Sequence, residues 1–255
     1  MLQDTDLAGL LPRFRYGQIL STSKGQRLGT GFQFYRLVPL DVIEVTALLG
    51  IDDYTDADIE TAAERFPLCV AALREDQADR IVLSGVPIAA RLGRVRTLRL
   101  LAEAEEHTGI PCDTTLEAVI AALQHLGLSR VTMGSRWAPG INAAVTAYLA
   151  EAGVETVAAT ELGQWGGAAY RMTLADGMRV SLDIGRQAAR LGGTAEAIFV
   201  PGGAALTLHV VPVLEREFGK PVITNLTAEV WHGLIKTGII PPVERWGQLL
   251  SGPIG

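Results

Sequence analysis

The feature that most limits the fold of this chain is a repeated block. ADRIVLSGVPIAA, from Ala78, lies over AEAIFVPGGAALT, from Ala195, so that Gly85 falls on Gly202. GIPCDTTLEAVI, from Gly109, lies in the same way over GKPVITNLTAEV, from Gly219, with Gly, Pro, Thr, Leu and Ala matched in register. In each copy an apolar strand ends in a glycine turn and a helix follows. A short G-x-P strand then runs through a Thr-rich turn into another helix. Apolar strands alternating with Ala/Leu-rich helices satisfy their burial in parallel sheets covered on both faces. The expected fold is α/β, with two pseudo-symmetric, Rossmann-like parallel-sheet halves, helices on both faces of each, and a cleft between them.

The clearest strands are Tyr16–Thr22, Asp41–Leu49, Asp79–Gly85, Ser129–Ser135, Ala195–Gly202 and Lys220–Asn225. Helical periodicity is clearest over Asp56–Glu64, Arg91–Thr108, Leu116–Leu126, Pro139–Ala152 and Leu206–Phe218. Open parallel sheets bind ligands beyond the carboxyl ends of their strands, so the turns there should line the cleft. The expected lining is Ser21 to Lys24, Ser84, Gly85, Val86 and Pro87, Cys112 to Thr115, Ser135, Arg136 and Trp137, Pro201 to Ala204, and Thr224 with Asn225.

Composition removes several classes of function. A net charge of −6, with no segment that concentrates the basic residues, argues against nucleic acid as a partner. The first residues carry early acids and a proline rather than a basic and then apolar leader. Gly, Pro and His break each apolar run before the roughly 20 residues a bilayer requires. A cytoplasmic protein is expected. Two cysteines build neither a disulfide framework nor a zinc site of usual spacing, so no metal site is expected.

The expected cleft favours an anion. Helices beginning after Gly85, Asp113, Gly202 and Asn225 would aim unpaired backbone N–H groups into it, and Gly202 with Gly203 lets backbone approach a ligand closely. Lys24 and Arg136 are candidate partners for a substrate carboxylate. Cys112, at the entrance to a helix, is the candidate soft nucleophile, although Asp113 beside it opposes thiolate formation. Cys69, in FPLCVAAL, reads as core. His209 and His232 have no ligand-spaced partner and read as packing residues. Ser84 and Ser135 lack the Gly-x-Ser-x-Gly setting of a hydrolase nucleophile.

These blocks resemble the aspartate/glutamate racemase superfamily, in its arylmalonate decarboxylase and maleate cis-trans isomerase branch, which also holds a relative from ectoine-utilisation operons. The likeness is carried by FQFYRLVP (Phe32 to Pro39), by the turn at Ser84 and Gly85, and by GIPCDTTLEAVIAALQHLGLSRV from Gly109. It continues through the helix of Asn142 and through AIFVPGGAALTLHVVPVLEREFGKPVITNLTAEVWHGL from Ala197.

The resemblance implies a first half of residues 1–113 plus 225–255 and a second half of 114–224. It also implies a homo-oligomer and cofactor-independent chemistry on a small mono- or dicarboxylate at the carbon beside the carboxylate. In racemases and isomerases of that superfamily a cysteine from each half serves as acid or nucleophile, while decarboxylase-like members retain only the second. Here those positions fall on Ser84 or Gly85 and on Gly202, so both thiols are replaced. Lys24 falls where an asparagine is usual, and Trp137 where tyrosine is frequent. A serine hydroxyl is too weak an acid and base to replace a thiol in a two-base racemase.

A decarboxylase or other lyase step through an enediolate is the favoured expectation, because electrostatics can stabilise that intermediate and only one proton must be delivered. Ser84 and Cys112 are the candidate catalytic groups. The candidate binding residues are Lys24, Gly85, Val86, Thr114, Thr115, Ser135, Arg136, Trp137, Asn142, Gly202, Gly203, Thr224 and Asn225. A non-catalytic carboxylate-binding relative is the alternative, and hydrolysis of a cyclic amide is a third.

Overall fold

A computed structural model describes residues 11–22, 30–51, 53–164, 171–202 and 206–252. The first part of the chain alternates strands β1 (Phe14–Leu20), β2 (Val42–Leu48), β3 (Arg80–Leu83) and β4 (Cys112–Thr114) with helices. These helices are α1 (Thr30–Phe34), α2 (Asp56–Glu75), α3 (Val86–Leu92), α4 (Arg94–Thr108) and α5 (Thr115–His125). The second part holds β5 (Arg130–Met133), α6 (Pro139–Ala150), β6 (Glu155–Ala159), α7 (Leu174–Leu191), β7 (Ala197–Val200), α8 (Val210–Phe218) and β8 (Val222–Thr224). The chain then continues through α9 (Asn225–Val230), a π-helical turn at Trp231–Ile235, and α10 (Gln248–Ser251).

The repeat in the sequence becomes a repeat in topology. The two four-stranded sheets run β2-β1-β3-β4 and β6-β5-β7-β8, all parallel, so the second order is the first advanced by four strands. The fold is α/β with two parallel sheets and helices on both faces. One apolar core lies between the sheets, joining Tyr16 and Val82 of the first to Met133, Phe199 and Ile223 of the second through Leu116, Val119 and Leu123 of α5. Two outer cores close the far faces: Ile19, Ile81 and Leu83 against α2 and α4, and Ile198, Val200 and Val222 against α7 and α8. Among the described residues no helix is long and apolar enough to cross a membrane.

Several expected elements change extent. Thr55 caps α2 in a reciprocal box with Asp58, and the helix runs past Glu64 and through Pro67 because residues on either side, Phe66 and Val70, are buried in one core. The single helix expected over Arg91–Thr108 is two, divided at Gly93, whose φ of +79° is open to glycine. Helix α8 begins at Val210, not Leu206. Helix α7 has no counterpart among the expected helices, and apart from Ile184 its buried face is small: Gly177, Ser181, Gly185, Ala188 and Ala189. That face lets the helix approach closely, and a Cβ at Gly185 would lie 2.4 Å from Leu214 Cδ1.

Candidate functional site

The strand ends of the second sheet assemble around a buried arginine. After β5, the Ser135 hydroxyl donates to Asn142 Oδ1 at 2.6 Å and accepts the Trp137 N–H at 3.0 Å. Thr160 donates to the Ser135 carbonyl at 2.7 Å, and Asn142 Nδ2 donates to the Thr160 carbonyl at 3.0 Å. This closed network fixes the backbone on both sides of Arg136, whose own carbonyl accepts the Gln164 N–H at 2.9 Å. The Arg136 side chain is then 4% exposed. Its Nη2 lies 3.5 Å and its Nε 3.9 Å from where a Cβ on Gly202 would stand. Gly202 takes φ +119°, and its N–H donates to Asn225 Oδ1 at 3.4 Å. An always-charged planar donor therefore covers the bare turn after β7, the geometry that a carboxylate accepts in bidentate fashion.

The corresponding turn of the first sheet is built around an acid. Glu229, on α9, reaches the end of β3 and the start of α5, where Oε1 accepts the Ser84 hydroxyl at 3.2 Å and the Thr115 hydroxyl as well. Tyr16 Oη donates to the Glu229 carbonyl at 3.3 Å. Burial pushes the Glu229 carboxyl up to about 7; the Thr115 and Ser84 hydrogen bonds pull it back, while the charges of Glu44 and Asp113 push it further up. Glu44, on β2 opposite Tyr16, is also raised to about 7 by burial. Asp113 meets Arg80 at 3.9 Å and is in contact with His232 Nδ1, so the π-helical turn is tied to β4.

The candidates from the sequence separate into groups. Ser135, Arg136, Asn142, Gly202 and Asn225 come together at the second turn; Ser84, Gly85 and Thr115 belong to the first. The hydroxyls of Thr114 and Thr224 are spent as helix caps, accepting the N–H groups of Leu116 at 3.0 Å and Thr227 at 3.2 Å. Val86 and Trp137 are apolar members of the shared core. Lys24 and Gly203 lie outside the described residues.

Two expectations are corrected. Cys112 begins β4 rather than ending a strand, so it sits away from the carboxyl edge and among the apolar residues beneath α4. Its thiol donates to the Ile110 carbonyl at 3.3 Å, and burial, with Glu105 nearby, pushes it up to about 12. It borders a separate groove of about 330 Å³ with Arg94, Glu117 and His232. Of the expected helix N-termini, α3 begins directly after Gly85, α5 at Thr115 and α9 at Asn225, but α8 starts eight residues beyond Gly202, so the Gly202 turn has no helix start of its own. The positive charge comes from Arg136 instead. Among the described residues no group of three or more His, Cys, Asp or Glu could hold a metal ion.

Sequence reasoning missed Glu229. The signal was present in the repeat, where Glu229 falls on Val119, a fully buried core position of α5. An acid at a position whose counterpart is a core valine is a buried carboxyl in need of an explanation.

Comparison with known proteins agrees with this architecture. A family model described as arylmalonate decarboxylase matches residues 29–250. An arylmalonate decarboxylase of Bordetella bronchiseptica is 25% identical over 222 residues, covering 87% of this chain and 90% of that protein. A solved arylmalonate decarboxylase with glycine-to-cysteine and cysteine-to-serine exchanges, in liganded form, superposes with a TM-score of 0.82 at 25% identity, covering 93% of this chain and 98% of that one. A maleate cis-trans isomerase of Nocardia farcinica carrying a covalently bound succinylcysteine intermediate shares the fold, with a TM-score of 0.77 at 17% identity and the same coverage, 93% and 98%.

Proposed function

Because the chain belongs to the arylmalonate decarboxylase family, we propose that it is a cofactor-independent enzyme that removes CO₂ from a small malonate-type dicarboxylate through an enediolate. The observation that carries this reading is the buried Arg136 guanidinium over Gly202. Arg136 holds the carboxylate that remains, and the same charge stabilises the two oxygens of the enediolate after the second carboxylate leaves as CO₂. The closed network of Ser135, Asn142 and Thr160 holds the backbone from which Arg136 extends before substrate arrives, so the strand end need not reorganise during the reaction. Val86 and Trp137 supply apolar wall on the side of the shared core.

Decarboxylation is favoured over isomerisation by thiolate addition. Cys69 and Cys112 are both buried in the outer apolar cluster of the first sheet, and burial raises both thiols above their ordinary range. The same observation favours a second reading, a carboxylate-binding protein without turnover. Phenylmalonate and alkylmalonates distinguish the two. Release of CO₂ supports the enzyme; thermal stabilisation by these acids without release supports the binder; neither effect would remove the carboxylate reading altogether.

A further inference from the structure

We infer that Glu229 is the proton reservoir of this site and acts through the Ser84 hydroxyl, which delivers the proton to the substrate carbon. This assignment rests on the reading of the chain as a carboxylate-directed enzyme.

The geometry singles out Glu229. Its carboxyl is 5% exposed and makes no ion pair among the described residues. Two hydroxyls donate to the same oxygen, and they differ in access: Thr115 is fully buried, whereas Ser84 is half-buried at the end of β3. The route from the carboxyl to the strand-end region therefore runs through Ser84. β3 holds the same place in its sheet as β7 does in the other, and α3, which follows Ser84 and Gly85, packs on α6, which follows Arg136 and Trp137. Gln33 of α1 also joins the halves, its Oε1 accepting the Leu208 N–H at 2.8 Å beyond the Gly202 turn.

The charged groups that act on Glu229, Glu44 on β2 and Asp113 on β4, both oppose its ionisation. Tyr16 on β1 stays neutral, its own hydroxyl raised by burial and by Glu229, and Arg80 is engaged with Asp113. A purely structural role needs only an acceptor for two hydroxyls, which a glutamine supplies. The carboxyl adds the ability to gain and lose a proton near neutral pH.

The step balances without a redox partner. The C–C bond to the departing carboxylate breaks, and its electron pair remains on the enediolate. With Glu229 protonated, its O–H donates to Ser84 Oγ, the reverse of the hydrogen bond that Ser84 makes to the carboxylate. In one concerted step the electron pair takes the Ser84 proton, the Ser84 O–H bond breaking as the C–H bond forms, while Glu229 passes its own proton to Ser84 Oγ, so no free alkoxide arises; solvent reprotonates Glu229 after product leaves. Ser84 is the catalytic residue in this scheme, and Glu229 positions and replenishes its proton.

The test uses the full chain with phenylmalonate as probe, and infrared titration of the protein itself. The expected result for Glu229→Gln is a fall in kcat of about a hundredfold with KM nearly unchanged. Loss of the pH-dependence near 7 and partial recovery in Glu229→Asp should accompany it. In the infrared, a protonated-carboxyl band should disappear as pH rises through about 7 in the wild type. Glu44 titrates in the same range, so the band is read in a Glu44→Gln background, where it should be missing once Glu229→Gln is added and displaced by Ser84→Ala. Wild-type kcat and pH profile in Glu229→Gln, or a Glu229 already ionised at pH 5, would overturn the assignment. If no malonate binds or reacts, the proposed function fails on its own. The relay is then judged by the infrared band alone, and a band indifferent to Ser84→Ala refutes it.

Discussion

The turns after β3 and β7 occupy equivalent places in two sheets of the same strand order, yet they carry opposite chemistry. At the first, Ser84 and Thr115 share hydrogen bonds with a buried acid from α9. At the second, a buried guanidinium covers a glycine. The scaffold around them stayed alike: each G-x-P strand leads into a helix capped by a threonine, Thr114 in one half and Thr224 in the other. The two halves therefore keep one backbone plan while the groups at their turns differ. Two equal acid–base groups suit a reaction that runs in mirror-related directions. On the proposed function, a cation at one turn and an acid at the other suit a reaction with one polarity, in which the substrate is held by one and protonated from the other.

The comparison breaks most severely if the cation is removed. Arg136→Met should abolish carboxylate-dependent thermal stabilisation, weakening phenylmalonate binding roughly a hundredfold, or about 3 kcal/mol. Calorimetric titration measures it, and unchanged affinity would show that the second turn is not the binding end.

The acid end should show itself in stability. Glu229 has a carboxyl raised from 4.5 to about 7, so between those values the folded state keeps a proton that the unfolded chain loses. Folding stability contributed by this group therefore falls as pH rises from 4.5 to 7, and the full penalty, about 3 kcal/mol, is present above that range. Glu229→Gln should be more stable than wild type at pH 8 by about that amount, with the difference gone near pH 4. Chemical denaturation at the two pH values tests this, and an equal difference at both would contradict it.

Two glycine exchanges sharpen the contrast. Gly202→Ala places a Cβ at φ +119° and against Arg136, and should cost about 1–3 kcal/mol while weakening ligand binding. Gly85→Ala occupies φ −138° and presses on the terminal Cδ1 of Ile88 at 2.8 Å, an end that can turn aside, so about 1 kcal/mol or less is expected. Thermal melts of both variants with and without phenylmalonate separate the effects. The smallest change belongs to Cys112→Ser, which should leave kcat within about twofold because the thiol lies outside both turns. A large loss of turnover there would restore Cys112 to the chemistry.

The fold was legible because its determinants are local and repeated. Apolar strands ending at Gly85 and Gly202 recur with their following helices, and that recurrence is enough to anticipate two parallel sheets. Helix α7 was missed although it is strongly amphipathic: Ser181, Ile184, Gly185, Ala188 and Ala189 fall on one buried face at helical spacing. Arg136 and Gly202 could be named from their places at strand ends. Their contact could not, because it depends on a side chain turning inward over a neighbouring strand. Cys112 was misplaced by the width of a three-residue strand: β4 begins at it rather than before it, which reverses the end of the sheet it faces.

The amino-acid sequence by itself determined the duplicated plan, the strand-end glycines and the absence of cysteine from both turns, because each is a property of residues close together along the chain. Only the tertiary structure decided which groups gather at those turns. Glu229 meets Ser84 across 145 positions and Thr115 across 114, and its proton affinity follows from burial among other acids. Such a contact exists only once helix and sheet have packed, since dielectric surroundings and side-chain distance belong to the assembled core.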